Sequence, residues 1–380
     1  MARVSRVLIV GGGIGGATLA IALAGHGVEV EIAEIQDEWG PVGVGLTLLG
    51  PALRALRTIG LIDRAVADGS GVLRLAIGDA SSRIGHVSEL PRLNGPQYPS
   101  AVQISRPAFH RILEEATRGR GVRVRTGISV AALHQAPDGI TAELTDGSSR
   151  TVDLVVGADG VHSRVRMLLM GPEPAPHFTG QAVWRAMVPR PTEAPPGFEQ
   201  GTLYMFFGSA NKAGMLPVNP HEIYVFLVQN TPQKVRPQDG ALPALMREQL
   251  AEYSGFLGEL RERIVEPAQV VYRSLEILLV PPPWHRGRAV LIGDAAHTTT
   301  PHLAHGGGLA IEDAVVLADL LTEAPSVEEA LDQFTRRRWE RCRMVVENSV
   351  QLGEWEKRPS PEADPAALTN ASWAALAEPI

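Results

Sequence analysis

The run Gly11-Gly12-Gly13-Ile14-Gly15-Gly16 stands between an apolar stretch, Val7-Leu8-Ile9-Val10, and a small-residue stretch from Ala17 to Ala24. Strand, glycine turn and helix in that order make the phosphate-binding half of a dinucleotide-binding βαβ unit of the G-x-G-x-x-G type. The glycines have separate tasks: Gly11 allows the tight turn, Gly13 lets the backbone approach a pyrophosphate, and Gly16 lets helix and strand pack closely. Ile14 and Gly15 open the helix, whose free N–H groups favour phosphate, and both join the candidate cofactor contacts. A second strand, Val28 to Ala33, ends at Glu34, 18 residues past Gly16. A carboxylate at that distance accepts from ribose hydroxyls.

Two later segments narrow the cofactor. Leu154-Val155-Val156 runs into Gly157-Ala158-Asp159-Gly160, and Ala289-Val290-Leu291-Ile292 runs into Gly293-Asp294-Ala295-Ala296-His297. Each is a buried-strand run that delivers a carboxylate to a strand end, where open α/β sheets bind ligands. With these motifs the chain resembles the group A flavoprotein monooxygenases, the aromatic hydroxylases built like 4-hydroxybenzoate hydroxylase. Their GxGxxG, DG and GD motifs match residues 11–16, 157–160 and 293–294 in order, and the resemblance spans roughly residues 5–345.

The resemblance implies noncovalent FAD, reduced transiently by NADH or NADPH, which has no second Rossmann domain here. It implies a flavin C4a-hydroperoxide formed with O2 that hydroxylates a phenol, hydroxybenzoate or hydroxypyridine-like ring. It places Arg106 near the FAD phosphates, Asp294 at the ribityl or ribose region, and Asp159 in the DG segment beside the cofactor. The loop Gly43 to Leu48 runs along the flavin, so Val44 joins the cofactor contacts and Thr47 those to substrate; Val130 is a further cofactor candidate. Residues 301–308, Pro301-His302-Leu303-Ala304-His305-Gly306-Gly307-Gly308, resemble the family's P-x-x-G-Q-G-x-N. There Pro301 lies beside the reactive ring edge, and Gly306, Gly307 and Gly308 turn helix N–H groups toward the pyrimidine end of the flavin, favouring an anion. Ala304, His305 and Gly308 depart from the pattern, which leaves redox tuning open. Halogenases share the flavin domain, but their W-x-W-x-I-P motif is missing: Trp184-Arg185-Ala186-Met187-Val188-Pro189 has alanine at the second tryptophan. A flavin-bound redox sensor, or a monooxygenase doing epoxidation or another oxygenation on a non-phenolic substrate, remains the alternative.

A reaction on a phenol also needs a base and a pocket. His302 is the candidate base, since a neutral imidazole with pKa about 6.5 takes a phenolic proton; a loop-capping role is equally open. His285, His297, His302 and His305 are near in sequence, but the spacing is not H-E-x-x-H and no metal is assigned. Substrate contacts are sought at Arg185, which suits a carboxylate, and at Tyr204, Met215 and Tyr224. Tyr204 and Phe206, like Tyr224 and Phe226, are spaced by two as on one face of a strand.

These residues need an α/β scaffold: a Rossmann-type FAD-binding domain interleaved with an antiparallel β-sheet substrate domain, then C-terminal helices. The expected boundaries are 1–75, 101–172 and 281–350 for the first, 76–100 and 173–280 for the second, and a tail from 351 to 380. With 380 residues, 44% of them apolar, the chain can bury a substantial core. A net charge of −7 argues against nucleic acid. Arg336, Arg337, Arg338, Arg341 and Arg343 read as a solvated helix face. The single Cys342 excludes an internal disulfide, and no apolar run reaches membrane-spanning length. The expectation is a cytoplasmic monomer or homodimer whose partners are a small aromatic substrate and O2.

Overall fold

The computed structural model describes residues 4–40, 43–191, 193 and 198–380 and is a mixed α/β fold. Its first sheet runs in the order His285–Arg286, Ala289–Leu291, Leu154–Gly157, Arg6–Val10, Glu29–Ala33, Arg123–Arg125. All pairings are parallel except the first. The central strands are continuous apolar runs because helices cover the sheet. The helix Ile14–Gly25 is buried at every position from Gly16 to Leu23, packed against the helices Arg106–Gly119 and Gly306–Glu323. Parallel strands point their carboxyl ends the same way, so Gly11, Glu34, Ala158 and Gly293 all follow strands at one edge of this sheet.

A second sheet of seven strands has the order Val270–Ile277, His177–Pro189, Glu222–Asn230, Asn211–Pro217, Thr202–Phe207, Arg74–Asp79, Ile84–Glu89. It is not wholly antiparallel, as the sequence suggested: Thr202–Phe207 pairs in parallel with Arg74–Asp79. These strands come from distant stretches of chain, so no hairpin dictates their direction. The outer face packs Trp184, Tyr204, Phe206 and Met215 against the helices Leu242–Gln249 and Gly255–Arg261. The inner face packs Leu216, Val218 and Tyr224 against Val44, Val72 and Ala101. The last two belong to a small sheet of Gly45–Leu49, Ala101–Ser105 and Ser70–Val72. A third small sheet, Val130–Ala136, Gly139–Leu144 and Ser149–Val152, is a meander.

The long helix Val327–Lys357 starts at Ser326, whose hydroxyl accepts from the Glu329 N–H at 3.2 Å. It takes in the first seven residues of the expected tail, 351–357, and only after it does the chain turn into the helix Pro365–Ala377. The arginine run on this helix is a solvated face only in part: Arg336 and Arg337 are exposed. Arg338 is fully buried and Arg341 nearly so, because Arg338 lies on the same stripe as Leu331, Phe334, Cys342 and Val345.

Candidate cofactor cleft and reaction site

The glycine turn opens on a cleft of about 370 Å³ lined by Gly11 to Ile14, Glu34, Trp39, Arg106, Ser129 and Asp159, among others. Gly11 has φ +101°, and a Cβ there would fall 2.4 Å from the Ala158 carbonyl oxygen. A Cβ on Gly16 would fall 2.0 Å from the Gly11 carbonyl oxygen. Gly13 is different: nothing lies within 4 Å of its would-be Cβ. Its freedom from side-chain bulk faces open cleft, the arrangement a close-approaching phosphate requires. Gly15 packs against Ala310, and Ile14 is half-buried beside it.

Acids and cations border the cleft. Glu34 accepts from the Gly12 N–H at 2.8 Å and the Gln36 N–H at 2.9 Å, which ties the strand end to the glycine turn. Trp39, for which the sequence offered no signal, donates its indole N–H to the Gly12 carbonyl at 2.7 Å. Asp159 caps the helix Arg164–Met170: it accepts from Ser163 Oγ at 2.5 Å, the Arg164 N–H at 2.7 Å and the Val165 N–H at 3.1 Å. Its carboxylate is therefore committed to the fold, while the adjoining backbone lines the cleft. Arg106 is held by its own N–H, which donates to the Val44 carbonyl at 2.9 Å. Burial and the neighbouring Arg185 lower its pKa, and Asp294 opposes them. Asp294 is solvent-exposed. The surrounding protein raises its pKa, while His297 and Arg106 pull it down. Val130 sits fully buried at the start of its strand, so its side chain serves the core.

The turn that carries Asp294 is braced from below. Gly293 adopts φ +59°, and its N–H donates to Asp313 Oδ2 at 2.9 Å. Asp313 also bonds His297 Nε2 at 2.6 Å and accepts from Arg338 Nε at 2.7 Å. The adjacent Glu312 accepts from Arg338 at 2.9 Å and from Arg341 through both oxygens at 2.8 Å. Burial disfavours charge on both acids, but Arg338 holds the Glu312 pKa far below the usual range, and His297 with Arg338 lowers that of Asp313. His297 is pushed well above its ordinary value against the opposition of burial, by the Cys342 sulfur and Asp313. Among the described residues His297, Asp313 and Cys342 are spaced as three metal ligands, yet the Arg338 guanidinium already neutralises the carboxylate. Gly306, Gly307 and Gly308 form the first turn of the helix Gly306–Glu323, with Gly307 against Leu46 and Ile14.

The inner face of the seven-stranded sheet is the wall that meets the segment around Val44 and Gly45. Strand register puts Arg185 opposite Phe226 and Tyr224 opposite Met187 and Leu216. Tyr224 is buried, which raises the pKa of its hydroxyl, and the nearby Arg185 partly offsets that. A Cβ on Gly45 would meet the Tyr224 ring at 2.8 Å and Gln103 Nε2 at 2.9 Å. Thr47 donates to Gln103 Oε1 at 2.6 Å, which leaves the fully buried Gln103 Nε2 without a hydrogen-bond partner. Gln103 is thus a site residue the sequence reading missed, although it is the lone amide in the apolar strand Ala101–Ser105. Tyr204 and Met215 do not line this wall. They pair with each other across the strands and face the outer helices, where the Tyr204 hydroxyl accepts from the Glu199 N–H at 2.6 Å. One-residue alternation sends them to the opposite side from Leu216 and Tyr224.

His302 is not placed as a base. Its side chain is 1% exposed, with Nδ1 2.8 Å from Thr300 Oγ1 and Nε2 3.2 Å from Glu356 Oε2. Glu356 accepts from Lys212 as well. With a carboxylate on one nitrogen and a hydroxyl on the other, the ring has no free lone pair for a substrate proton. Burial, then Lys212, lowers its pKa, so it is neutral. Pro301 and His302 begin one short turn, which ends at Ala304 in the left-handed region, φ +53°.

Comparison with known proteins agrees with this geometry. The family model described as FAD binding domain matches residues 4–349, and the chain belongs to that family. It is an FAD-dependent monooxygenase, with relatives that act on aromatic or heteroaromatic rings. Aurachin C monooxygenase/isomerase of Stigmatella aurantiaca is 32% identical, over 92% of this chain and 90% of the relative. The 3-amino-4-hydroxybenzoate 2-monooxygenase PtmB3 of Streptomyces platensis is 31% identical, over 92% and 87%. The structure of Klebsiella pneumoniae HpxO complexed with FAD and uric acid superposes with a TM-score of 0.84 at 25% identity, covering 98% of this chain and 92% of that one. Among the described residues no helix is long and apolar enough to cross a membrane.

Proposed function

We propose that this monooxygenase hydroxylates a small, anionic aromatic or heteroaromatic ring of the phenol, hydroxybenzoate or hydroxypyridine type, with O2 and with NADH or NADPH as reductant. The observation that carries the reading is the pair of arginines, Arg185 and Arg106, that act on each other and on Tyr224 at the inner sheet face. Two cations so close favour an anion between them, and a ring carboxylate or phenolate oxygen would supply it. The relatives' names support the substrate class: one acts on 3-amino-4-hydroxybenzoate, and HpxO holds uric acid.

FAD, when bound, supplies the oxygen chemistry; the chain binds, orients and shields. Gly11 to Gly16 would receive the pyrophosphate, Glu34 the adenosine ribose, and Arg106 and Asp294 the span between phosphates and flavin. The helix start at Gly306 would face the ring, with Pro301 at its edge. The first sheet and its helices would form the flavin unit, and the seven-stranded sheet the substrate unit. The arrangement supports residues 1–75, 101–172 and 281–350 for one and 76–100 and 173–280 for the other, with the long helix extended to 357. Proton removal from the substrate would fall to water or Thr47, since His302 is engaged.

Substrate-stimulated NAD(P)H oxidation, followed for benzoate- and pyridine-type rings with and without a carboxylate, tests this reading. The acids should be preferred, and Arg185→Ala should raise KM for them at least tenfold while leaving FAD content unchanged. Equal use of neutral and anionic rings by both proteins would overturn it.

A further inference from the structure

The departures from the family pattern at residues 305 and 308 meet in space. His305 is the residue before the helix Gly306–Glu323, at φ −122° and ψ 4°, and its side chain makes no cap bond. The first three helical residues are all glycine, each less favourable in a helix interior than alanine by about 1 kcal/mol. A turn with no side chains cannot hold its own geometry by packing. The His305 ring folds back along the helix instead and lies over Gly308. A Cβ at Gly308 would fall 2.4 Å from His305 Cε1 and 2.5 Å from Nδ1. Two turns on, His305 Nε2 lies 3.5 Å from Glu312 Oε1 without forming a hydrogen bond, so the ring is held by packing. Both side chains are fully buried. Glu312 is itself fixed by Arg338 and Arg341, and Arg341 reaches on to the Leu376 carbonyl in the helix Pro365–Ala377. The ring therefore has no room to step aside for a larger residue at 308.

We infer that His305 and Gly308 are a matched pair, in which the His305 ring, packed between the glycine-only first turn and Glu312, braces that turn and so sets where its N–H groups point. His305 is a positioning residue: it acts on the flavin through the backbone of residues 306–308. The inference rests on the reading that this helix start faces the flavin. It accounts for both departures at once: a ring where the family has glutamine requires glycine where the family has asparagine. A helix N-terminus acts on a nearby anion by up to about 2 kcal/mol and within its first turn only, so misplacing the turn weakens the hold on reduced flavin more than on oxidised.

The test compares the wild type with His305→Gln, Gly308→Asn and the double variant, measuring the FAD dissociation constant, the flavin midpoint potential and the melting temperature of the apoprotein. Gly308→Asn should favour the reduced flavin about tenfold less, a drop of about 30 mV for a two-electron couple, and His305→Gln should do so to a smaller extent. The double variant, which restores the family pair, should return to within twofold of wild type. Gly308→Asn that fails to fold while the double variant folds supports the pair equally. Losses that simply multiply in the double variant, or a Gly308→Asn protein like wild type in all three readouts, overturn it. A wild type that binds no FAD overturns the flavin reading beneath it and is distinguished by that result alone.

Discussion

Arg338→Met removes the cation shared by Glu312 and Asp313 while nearly keeping side-chain volume. Arg338 is fully buried, bonded to Asp313 at 2.7 Å and to Glu312 at 2.9 Å, and both acids are buried with it. Breaking a buried ion pair from one side costs about 3–5 kcal/mol, because a charge is left uncompensated. His297 still faces Asp313 and Arg341 still faces Glu312, so the lower end of that range applies. At about 2 °C per kcal/mol for a chain of this size, the melting temperature should fall by about 6 °C at pH 7. The sign of the pH dependence follows from the lowered pKa values of both acids. A carboxylate depressed in the folded state stabilises above its unfolded pKa, near 4, and loses that contribution as pH falls through the folded value. Wild type should therefore lose stability below about pH 4.5, and the gap between wild type and Arg338→Met should narrow there. Because Asp313 also accepts from the Gly293 N–H, the variant should release FAD more readily. Calorimetry from pH 3 to 8, with FAD retention on a desalting column, reads all three effects. A variant within about 1 kcal/mol of wild type, with a gap that does not depend on pH, would refute the argument that Arg338 is the buried counter-charge.

Ala304 holds a left-handed conformation that disfavours a Cβ by about 1–2 kcal/mol, so Ala304→Gly should stabilise the apoprotein by about 0.5–1 kcal/mol after the entropy that glycine adds to the unfolded chain; denaturant midpoints measure it, and a loss of stability counts against the strain. Gly13→Ala and Gly16→Ala should part company. The first meets nothing and has φ −70°, so it should melt like wild type yet bind FAD at least tenfold more weakly, about 1.4 kcal/mol. The second places a Cβ 2.0 Å from a carbonyl oxygen and should yield little folded protein; equal behaviour of the two would remove Gly13 from the cofactor site. His302→Ala should lower the stability by about 1–3 kcal/mol through its lost bonds, and the melting temperature with it. With its pKa lowered by burial and then Lys212, the stability His302 supplies is complete above its unfolded value near 6.5 and falls as pH drops, so the variant's stability should vary less with pH just below that point. An unchanged melting temperature with hydroxylation slowed about 10²-fold would restore His302 as the base.

Much of this was legible where a residue's task is local. Gly11 and Gly16 are demanded by turn and packing, and their spacing announced them; the strands around Ile9, Val156 and Val290 are apolar runs too short and too flanked by glycine to be anything else. What depends on register was not. Spacing by two shows that Tyr224 and Phe226 share a face and that Tyr204 and Phe206 share one, but only the pairing of Tyr224 with Leu216 and of Tyr204 with Met215 tells which face meets the cleft. Arg338 was hidden by its charged neighbours, although its place in the stripe Leu331, Phe334, Cys342, Val345 carried the signal. His302 shows the reverse limit: its residue type suits a base, but Thr300 is two residues away and Glu356 lies 54 residues further on, and together they occupy it. Sequence separation of that size conceals a partner.

The central claim is that this chain uses FAD to place one atom of O2 on an aromatic ring. Turnover under ¹⁸O₂ with an accepted ring acid tests it most directly. The account predicts one labelled oxygen in the product for each NAD(P)H consumed, in a protein whose yellow FAD is released by acid precipitation. Consumption of NAD(P)H that gives equivalent hydrogen peroxide and unlabelled ring, for every acid that stimulates it, would contradict the account.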